Sequence, residues 1–201
     1  MKQAFVTAFV LTYCLFSISI NAPAQAALAP TAFGRDNIVV CRVGNGTLTL
    51  DAKAQPVFID EYTPDGVLVA TRPLPTVNSG TQFGFTLTGT PTGGPVNECK
   101  ISMSPDGRSI VLAGYNSSIG TTQANSGTPV VARVDHLGNI DTSTLIPRPQ
   151  GGFVHSAATI DGTGFWMVGQ SGGIAYQPLG GTGSPAVVAA APVVSRFVQI
   201  V

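Results

Sequence analysis

The stretch that decides the fold reads Met103-Ser104-Pro105-Asp106-Gly107-Arg108-Ser109-Ile110-Val111-Leu112-Ala113-Gly114. Asp-Gly suits a tight turn, because glycine tolerates positive φ and aspartate accepts hydrogen bonds from the backbone that follows it. The apolar run after the turn has the length and the branched residues of a buried strand. The stretch therefore predicts a strand that begins directly after a tight turn.

Related turns recur along the chain, each followed closely by an apolar segment. They are Pro64-Asp65-Gly66, Pro105-Asp106-Gly107, Leu137-Gly138-Asn139 and Ile160-Asp161-Gly162. Recurring turn-and-strand units are typical of repeat architectures. The spacing is uneven, so either the repeat has diverged or two turns fall within one repeat unit.

Short segments rich in branched residues lie between turn signals along the chain after residue 26, and no Gly- and Pro-free segment there has helical spacing. The pattern predicts an all-β fold: a sandwich, a barrel or a propeller. Stretches 76–95 and 116–128 are rich in Gly, Ser and Thr and are predicted to be surface loops. The predicted strands are Ile38–Val43, Thr47–Leu50, Val57–Tyr62, Val67–Thr71, Phe83–Leu87, Lys100–Met103, Ser109–Gly114, Val130–Asp135, Ser156–Ile160, Gly164–Gly169, Ile174–Gln177 and Val193–Val201.

The segment from Ser104 to Arg108 resembles the S-P-D-G-R repeat of extracytoplasmic β-propellers related to WD40 and YVTN blades. The segments 112–116, 131–135, 141–144, 162–166 and 172–176 extend the resemblance to a group of secreted propeller-like proteins. The resemblance implies export and a β-propeller-like array of short antiparallel blades, but no catalytic residue. The chain has no clear closing blade, so an incomplete ring, as the N-terminal part of a longer protein, is one interpretation.

Composition excludes some partners. Charged residues make up only 10% of the chain, and ten Lys and Arg balance ten Asp and Glu. A chain without net charge has no long-range field to attract a phosphate backbone or an anionic membrane surface. We therefore expect no nucleic-acid partner.

The first 26 residues have the layout of a secretory signal peptide. Lys2 precedes an uncharged apolar run from Ala4 to Ile20, Pro23 breaks the run, and Ala24-Gln25-Ala26 forms a small-x-small cleavage site. A permanent membrane anchor is the alternative, but the run is near the lower length limit for a span. The sequence predicts a secreted or extracytoplasmic protein with a propeller-like domain at 27–201 and no membrane span after cleavage.

Cleavage after Ala26 would leave two cysteines, Cys41 and Cys99. In an oxidising compartment the pair predicts either a disulfide or two separate buried thiols, and sequence alone does not decide between them. Asn45-Gly46-Thr47 and Asn116-Ser117-Ser118 are glycosylation sequons, which matter only in a eukaryotic source.

Ser171 lies in Gly169-Gln170-Ser171-Gly172-Gly173, which matches motifs of serine hydrolases. A nucleophile elbow needs a helix after the serine and a histidine later in the chain, whereas both histidines, His136 and His155, come earlier. A trio of His155, Asp161 and Ser171 would fall within one hairpin-sized stretch. We therefore predict a glycine-rich hairpin turn, an exposed His136 and a strand-edge His155.

Other patterns also have an ordinary structural interpretation. Asp135 to Asp141 places oxygen ligands as a calcium loop would, but does not fit the EF-hand pattern, so a capped turn is predicted. Asp60 and Glu61 lie on opposite faces of a strand, cannot form a facing acid pair, and are free to pair with other residues. Trp166 and Tyr115 are predicted to pack between blades, with a sugar-stacking platform as the alternative.

The sequence thus predicts no catalytic, cofactor-binding or metal-binding residue. The function it favours is a secreted propeller-like module that binds an extracellular protein or glycan. The alternatives are a polysaccharide hydrolase or lyase built on a propeller, and a β-sandwich adhesion domain. Fold analogy does not separate them, because propellers include both binding proteins and enzymes.

Overall fold

A computed structural model of the chain describes residues 31–47, 50–89, 98–147, 153–192 and 194–201. These residues form antiparallel strands and one short 3-10 helix at Ala124–Ser126, with no α-helix, which confirms the all-β prediction. The strands are β1 (Ile38–Val43), β2 (Ala54–Tyr62), β3 (Leu68–Pro73), β4 (Thr86–Thr88), β5 (Ser102–Met103), β6 (Ser109–Asn116), β7 (Thr128–Asp135), β8 (Ile140–Leu145), β9 (Val154–Ala158), β10 (Gly164–Gly169), β11 (Ile174–Pro178) and β12 (Ala186–Ala189).

The first sheet has the strand order β1-β2-β4-β6-β7-β8, with β3 also paired to β2 and β5 to β6. Strand β1 runs antiparallel to β2 from the pair Ile38 and Tyr62 to the pair Val43 and Val57. The single pair of Thr86 with Tyr115 joins β4 to β6. The sheet is therefore a group of strands around β2 joined through β4 to a meander of β5, β6, β7 and β8.

The second sheet is a four-stranded meander with the order β12-β11-β10-β9. Its register places Trp166 of β10 opposite Tyr176 of β11. Among the described strands both sheets are open, because in neither sheet does the first strand pair with the last.

The hydrophobic core extends across both sheets, and β9 of the second sheet packs on β6 of the first. Strand β6 is buried on both faces, as its uninterrupted apolar run predicts. The ring of Phe85 lies so close to Gly114 that a Cβ there would come within 2.5 Å of it, so only glycine fits.

A buried polar network fastens the two sheets together. The Tyr115 hydroxyl, in a side chain with no exposed surface, accepts the backbone N–H of Val154 at 3.0 Å. Tyr115 also hydrogen-bonds Glu98, whose carboxylate accepts the N–H of Thr88 at 2.8 Å. Burial raises the pKa of Glu98 above its ordinary value. Tyr115 therefore packs between the sheets.

The Asp-Gly turn at Ser104 resembles the turn at Thr159 in two of its hydrogen bonds. In each turn the hydroxyl of the first residue accepts a backbone N–H, Ser104 from Ser109 and Thr159 from Gly162, and the aspartate accepts the N–H two residues after it. The first turn joins β5 to β6 and the second joins β9 to β10. The two sheets thus repeat the same strand-turn-strand unit.

The other two turns are of a second kind. The N–H of Thr63 donates to the carbonyl of Val67, and the N–H of Asp135 donates to the carbonyl of Asn139, four residues later in each case. These turns join β2 to β3 and β7 to β8. The two kinds alternate along the chain, so the strands β5 to β8 contain one turn of each kind. Two turns within these four strands explain the uneven spacing of the turns in the sequence.

Some sequence-based boundaries were wrong. Strands β8 and β12 were not predicted, and the strand predicted at Phe83–Leu87, inside loop 76–95, is the shorter β4 at Thr86–Thr88. Residues 194–201 form no strand, contrary to the prediction of a strand at Val193–Val201. The predicted signal peptide at 1–26, positions 48–49 of the predicted strand Thr47–Leu50, and positions 90–95 of loop 76–95 lie outside the described residues.

Candidate binding cleft

An open cleft of about 400 Å³ lies against the first sheet. Three segments form it: residues 32–39, residues 103–110 around the turn from β5 to β6, and residues 134–136 at the end of β7. Its apolar surface includes Phe33, Val39, Met103, Ile110 and Val134, and its polar groups include Asp36, Asn37, Arg108 and His136. A mostly apolar concave surface with a few polar groups is typical of ligand sites in proteins.

Backbone hydrogen bonds hold the three segments in place. The N–H of Phe33 donates to the carbonyl of His136 at 3.1 Å, and the N–H of His136 donates to the carbonyl of Arg108 at 2.8 Å. The shape of the cleft is therefore set by backbone, while the side chains of Arg108 and His136 stay exposed.

The wall at residues 31–37 is anchored by a buried ion pair. Arg72 on β3 donates from Nη2 to Glu61 on β2 and to the carbonyl of Thr31, both at 2.8 Å. Glu61 also accepts from the N–H of Gly34 and from Asn37 Nδ2. Burial opposes ionisation of Glu61, but these hydrogen bonds and the Arg72 charge outweigh it and lower its pKa.

Asp60, the neighbour of Glu61, faces the other way, as strand alternation predicted. Its carboxylate accepts from Arg42 at 2.5 and 3.1 Å and from the Thr71 hydroxyl at 2.8 Å. The adjacent carboxylates are thus separated into two ion pairs, each with its own arginine. Neither is placed to act as half of a facing acid pair.

Arg108 is presented by the turn at Ser104. Asp106 accepts hydrogen bonds from the Ser104 hydroxyl at 2.5 Å and from the N–H of Arg108 at 3.0 Å. The bond from Ser104 is the main reason that the pKa of Asp106 lies below its ordinary value. Gly107 has a φ of 68°, which an L side chain rarely adopts.

The segment considered as a calcium loop forms a capped turn, as predicted. Oδ1 of Asp135 accepts the N–H groups of Leu137 and Asn139, both at 2.9 Å, and Oδ2 accepts from the Asn139 amide. Asp141 likewise accepts from the N–H and hydroxyl of Ser143. Across the described residues, no group of three or more His, Cys, Asp or Glu side chains is placed to hold a metal ion.

Ser171 lies in the tight turn between β10 and β11, where Gly172 and Gly173 both have positive φ. The nearest partners of His155 are the carbonyl of Ser195 and the side chain of Arg196. Asp161 accepts from Thr163 in its own turn. The hairpin prediction is confirmed, and within the described residues no hydrogen bond joins the hypothetical catalytic trio.

His155 lies at the start of β9, the edge strand of the second sheet, as predicted. Its side chain is buried, with 7% of the residue exposed, and both ring nitrogens have partners. His136 is exposed, as predicted. Trp166 is half-buried, and its ring centroid lies 4.9 Å from that of Tyr176 at an angle of 50°.

Cys41 on β1 and Cys99 before β5 form a disulfide, with their Cα atoms 5.8 Å apart. The bridge joins β1, at the edge of the first sheet, to the segment that precedes β5.

The two sequon asparagines differ in exposure. Asn45 is exposed, and its side-chain oxygen accepts the N–H and hydroxyl of Thr47, both at 3.0 Å. Asn116 is half-buried at the end of β6. Glycosylation at either residue stays a prediction.

Sequence reasoning named Arg108 and His136 but did not bring them together. Their proximity could have been predicted, because the turns that carry Arg108 and His136 lie at the same end of the adjacent strands β6 and β7.

No protein-family model and no curated protein matches the chain. Among the described residues, no helix has the length and hydrophobicity needed to cross a membrane.

Proposed function

We propose that this protein is an exported, propeller-like binding module whose cleft takes a segment of an extracellular protein or glycan. The observation that carries the proposal is the cleft itself, an open apolar surface with polar groups, built from three segments that backbone hydrogen bonds hold together. A preformed surface of this kind lowers the entropy cost of binding.

The repeated turns support the propeller part of the proposal. Strands β5 to β8 and β9 to β12 are two four-stranded antiparallel meanders with a similarly capped Asp-Gly turn between their first two strands. Four-stranded meanders packed side by side are the unit from which propellers are built. The packing of β9 on β6 agrees with two neighbouring blades.

Export is supported by the leader-like first 26 residues and by the disulfide, which persists in oxidising compartments. We expect the exported protein to begin at or near Ala27, because small residues occupy the two positions that signal peptidases read before it. Intact-mass measurement of protein collected from outside the cytoplasm tests this. A mass that includes Met1 would rule out the signal-peptide interpretation.

The hydrolase alternative has no support from the carboxylates considered for it. Asp60 and Glu61 are buried and bound to Arg42 and Arg72, so neither is exposed to a substrate. A binding role needs no such groups and uses the cleft surface as it stands.

The cleft is tested with arrays of extracellular oligosaccharides and with a displayed peptide library, both probed with the exported protein. Met103 lines the cleft and is 61% exposed, so Met103→Lys places a charge on its apolar surface without disturbing the core. We expect this change to weaken binding of any selected ligand by about tenfold or more. Leu137→Lys is the matched control, because Leu137 is 50% exposed on the neighbouring turn but does not line the cleft. Equal binding by the wild type and the Met103 variant would refute the proposal, and so would the absence of any retained ligand.

A further inference from the structure

We propose that Lys100, His155 and Arg196 form a binding site for an oxyanion, such as a carboxylate, sulfate or phosphate group. None of the three lines the cleft described above. They meet where residues 195–198 cross the strands β9 and β5.

A β-bulge places His155 in this cluster. Val168 pairs with Ser156 and Gly169 pairs with Val154, so His155 is the extra residue on β9. A bulge turns the unpaired residue away from the regular alternation of the strand. As a result, His155 and its neighbour Ser156 both contact the crossing segment, at Ser195 and Val198 respectively.

The hydrogen bonds define the protonation state of His155. Arg196 has only donors, so the contact of 3.4 Å from its Nη1 makes Nε2 of His155 an acceptor. Nδ1 then carries the proton and donates to the carbonyl of Ser195 at 2.7 Å. His155 is therefore neutral in this arrangement, and the positive charge of the cluster belongs to Lys100 and Arg196.

That positive charge is not neutralised within the described residues. Arg42 and Arg72 each have a buried carboxylate partner, whereas no carboxylate of the described residues lies within 4.0 Å of Lys100 or Arg196. Lys100 donates instead to the carbonyl of Arg196 at 2.5 Å. Two like charges are thus held near one another with several N–H donors still available for an acceptor.

The pKa directions agree with this electrostatic picture. Burial is the main cause that lowers the pKa of Lys100, and the charge of Arg196 lowers it further. Burial also lowers the pKa of His155, opposed by its bond to Ser195 and assisted by Arg196 and Lys100. A bound oxyanion would supply the negative charge that the cluster lacks and accept hydrogen bonds from both cations.

The same geometry predicts a pH dependence. The groups that face His155 are Arg196 on the crossing segment and Lys100 before β5, and both are cationic between pH 5 and 8. A bound anion favours the protonated imidazole, so its affinity should rise as the pH falls from about 7.5 to about 5.5. Without the anion, the free energy of unfolding should decrease as the pH falls over the same range. The reason is that the pKa of His155 is lower in the folded protein than in the unfolded chain, so protonation favours unfolding.

The test measures sulfate binding to the full exported protein by titration calorimetry, with sodium chloride at matched ionic strength as the reference. Inorganic phosphate, galacturonate and oligogalacturonate are compared at one pH, and the pH series uses sulfate because sulfate does not titrate there. We expect saturable binding that weakens about tenfold or more in Arg196→Gln and in Lys100→Gln. His155→Gln keeps a donor and an acceptor at this position, and should bind with an affinity independent of pH.

Arg108→Gln is the matched control, since Arg108 is exposed and lies in the cleft instead. Tighter binding of oligogalacturonate than of sulfate would identify an acidic glycan as the source of the oxyanion, and equal binding would identify a free ion. The proposal is overturned if the wild type shows no saturable binding, or if Arg196→Gln and Lys100→Gln bind as the wild type does. Both results would leave the test of the cleft unaffected.

Discussion

Replacing Arg72 with methionine is expected to lower the free energy of unfolding by about 3 to 5 kcal/mol, because the change leaves the Glu61 carboxylate buried without its countercharge. The two side chains are 8% and 1% exposed, so water cannot compensate for the loss. The variant also loses the bond to the carbonyl of Thr31 and the contact of the guanidinium with the Phe33 ring, 4.1 Å from its centroid. Urea denaturation monitored by circular dichroism measures the difference.

The pH dependence of the stability lost in Arg72→Met shows whether the loss comes from the broken ion pair or from lost packing. In the wild type the pKa of Glu61 is lowered, so its contribution is present at neutral pH and lost as the pH falls below about 4. In Arg72→Met the buried Glu61 should protonate more readily, so the gap between variant and wild type should narrow in acid. A gap that is constant from neutral pH to pH 4 would contradict this account. Arg35→Met is the control, because the ion pair of Arg35 with Asp36 is exposed.

This ion pair also links stability to the proposed function. Glu61 holds Gly34 and Asn37, which belong to the cleft wall. Loss of Arg72 should therefore weaken ligand binding at the cleft as well as stability. Binding at the oxyanion site should be unchanged under conditions where the variant is folded.

The second large effect is expected from the disulfide. Cys41 and Cys99 are separated by 58 positions, and closing a loop of that size stabilises a folded chain by about 4 kcal/mol in the chain-entropy account. The double variant Cys41→Ser and Cys99→Ser should lose about that amount in urea denaturation. Treatment of the wild type with a reductant should reproduce the loss and have no effect on the double variant. Equal stability of the oxidised wild type and the double variant would show that the bridge does not stabilise the fold.

Much of the local structure was predictable from short stretches of sequence. Strands β1 and β10 have the predicted bounds, and the Asp-Gly turns form where they were expected. The reason is that each turn is held by hydrogen bonds within five residues, such as the one from the N–H of Ser104 to the carbonyl of Ser109. The opposite faces of Asp60 and Glu61 also follow from local geometry, because alternation along a strand depends only on sequence position.

Strand β8 could not be predicted from a local sequence pattern. Strand β8 is rich in polar residues, so its sequence lacks an apolar pattern. Its Thr142 and Thr144 are nevertheless fully buried, and the Thr142 hydroxyl donates to the carbonyl of Phe83 at 2.7 Å. A buried polar strand is stabilised by partners far away in the chain, which no window of sequence contains.

By itself, the amino-acid sequence determined an all-β chain of short strands and capped turns, because those features depend on neighbouring residues. Only the tertiary structure decided which cysteines, carboxylates and cations meet. Arg72 hydrogen-bonds Glu61 on the adjacent strand and the carbonyl of Thr31, which precedes β1. His155 contacts Arg196, which lies 41 positions later in the chain. Contacts between residues far apart in the chain form only when folding closes the loops between them, and many pairings are compatible with the same local pattern. For that reason both the cleft and the oxyanion site became visible only in the folded chain.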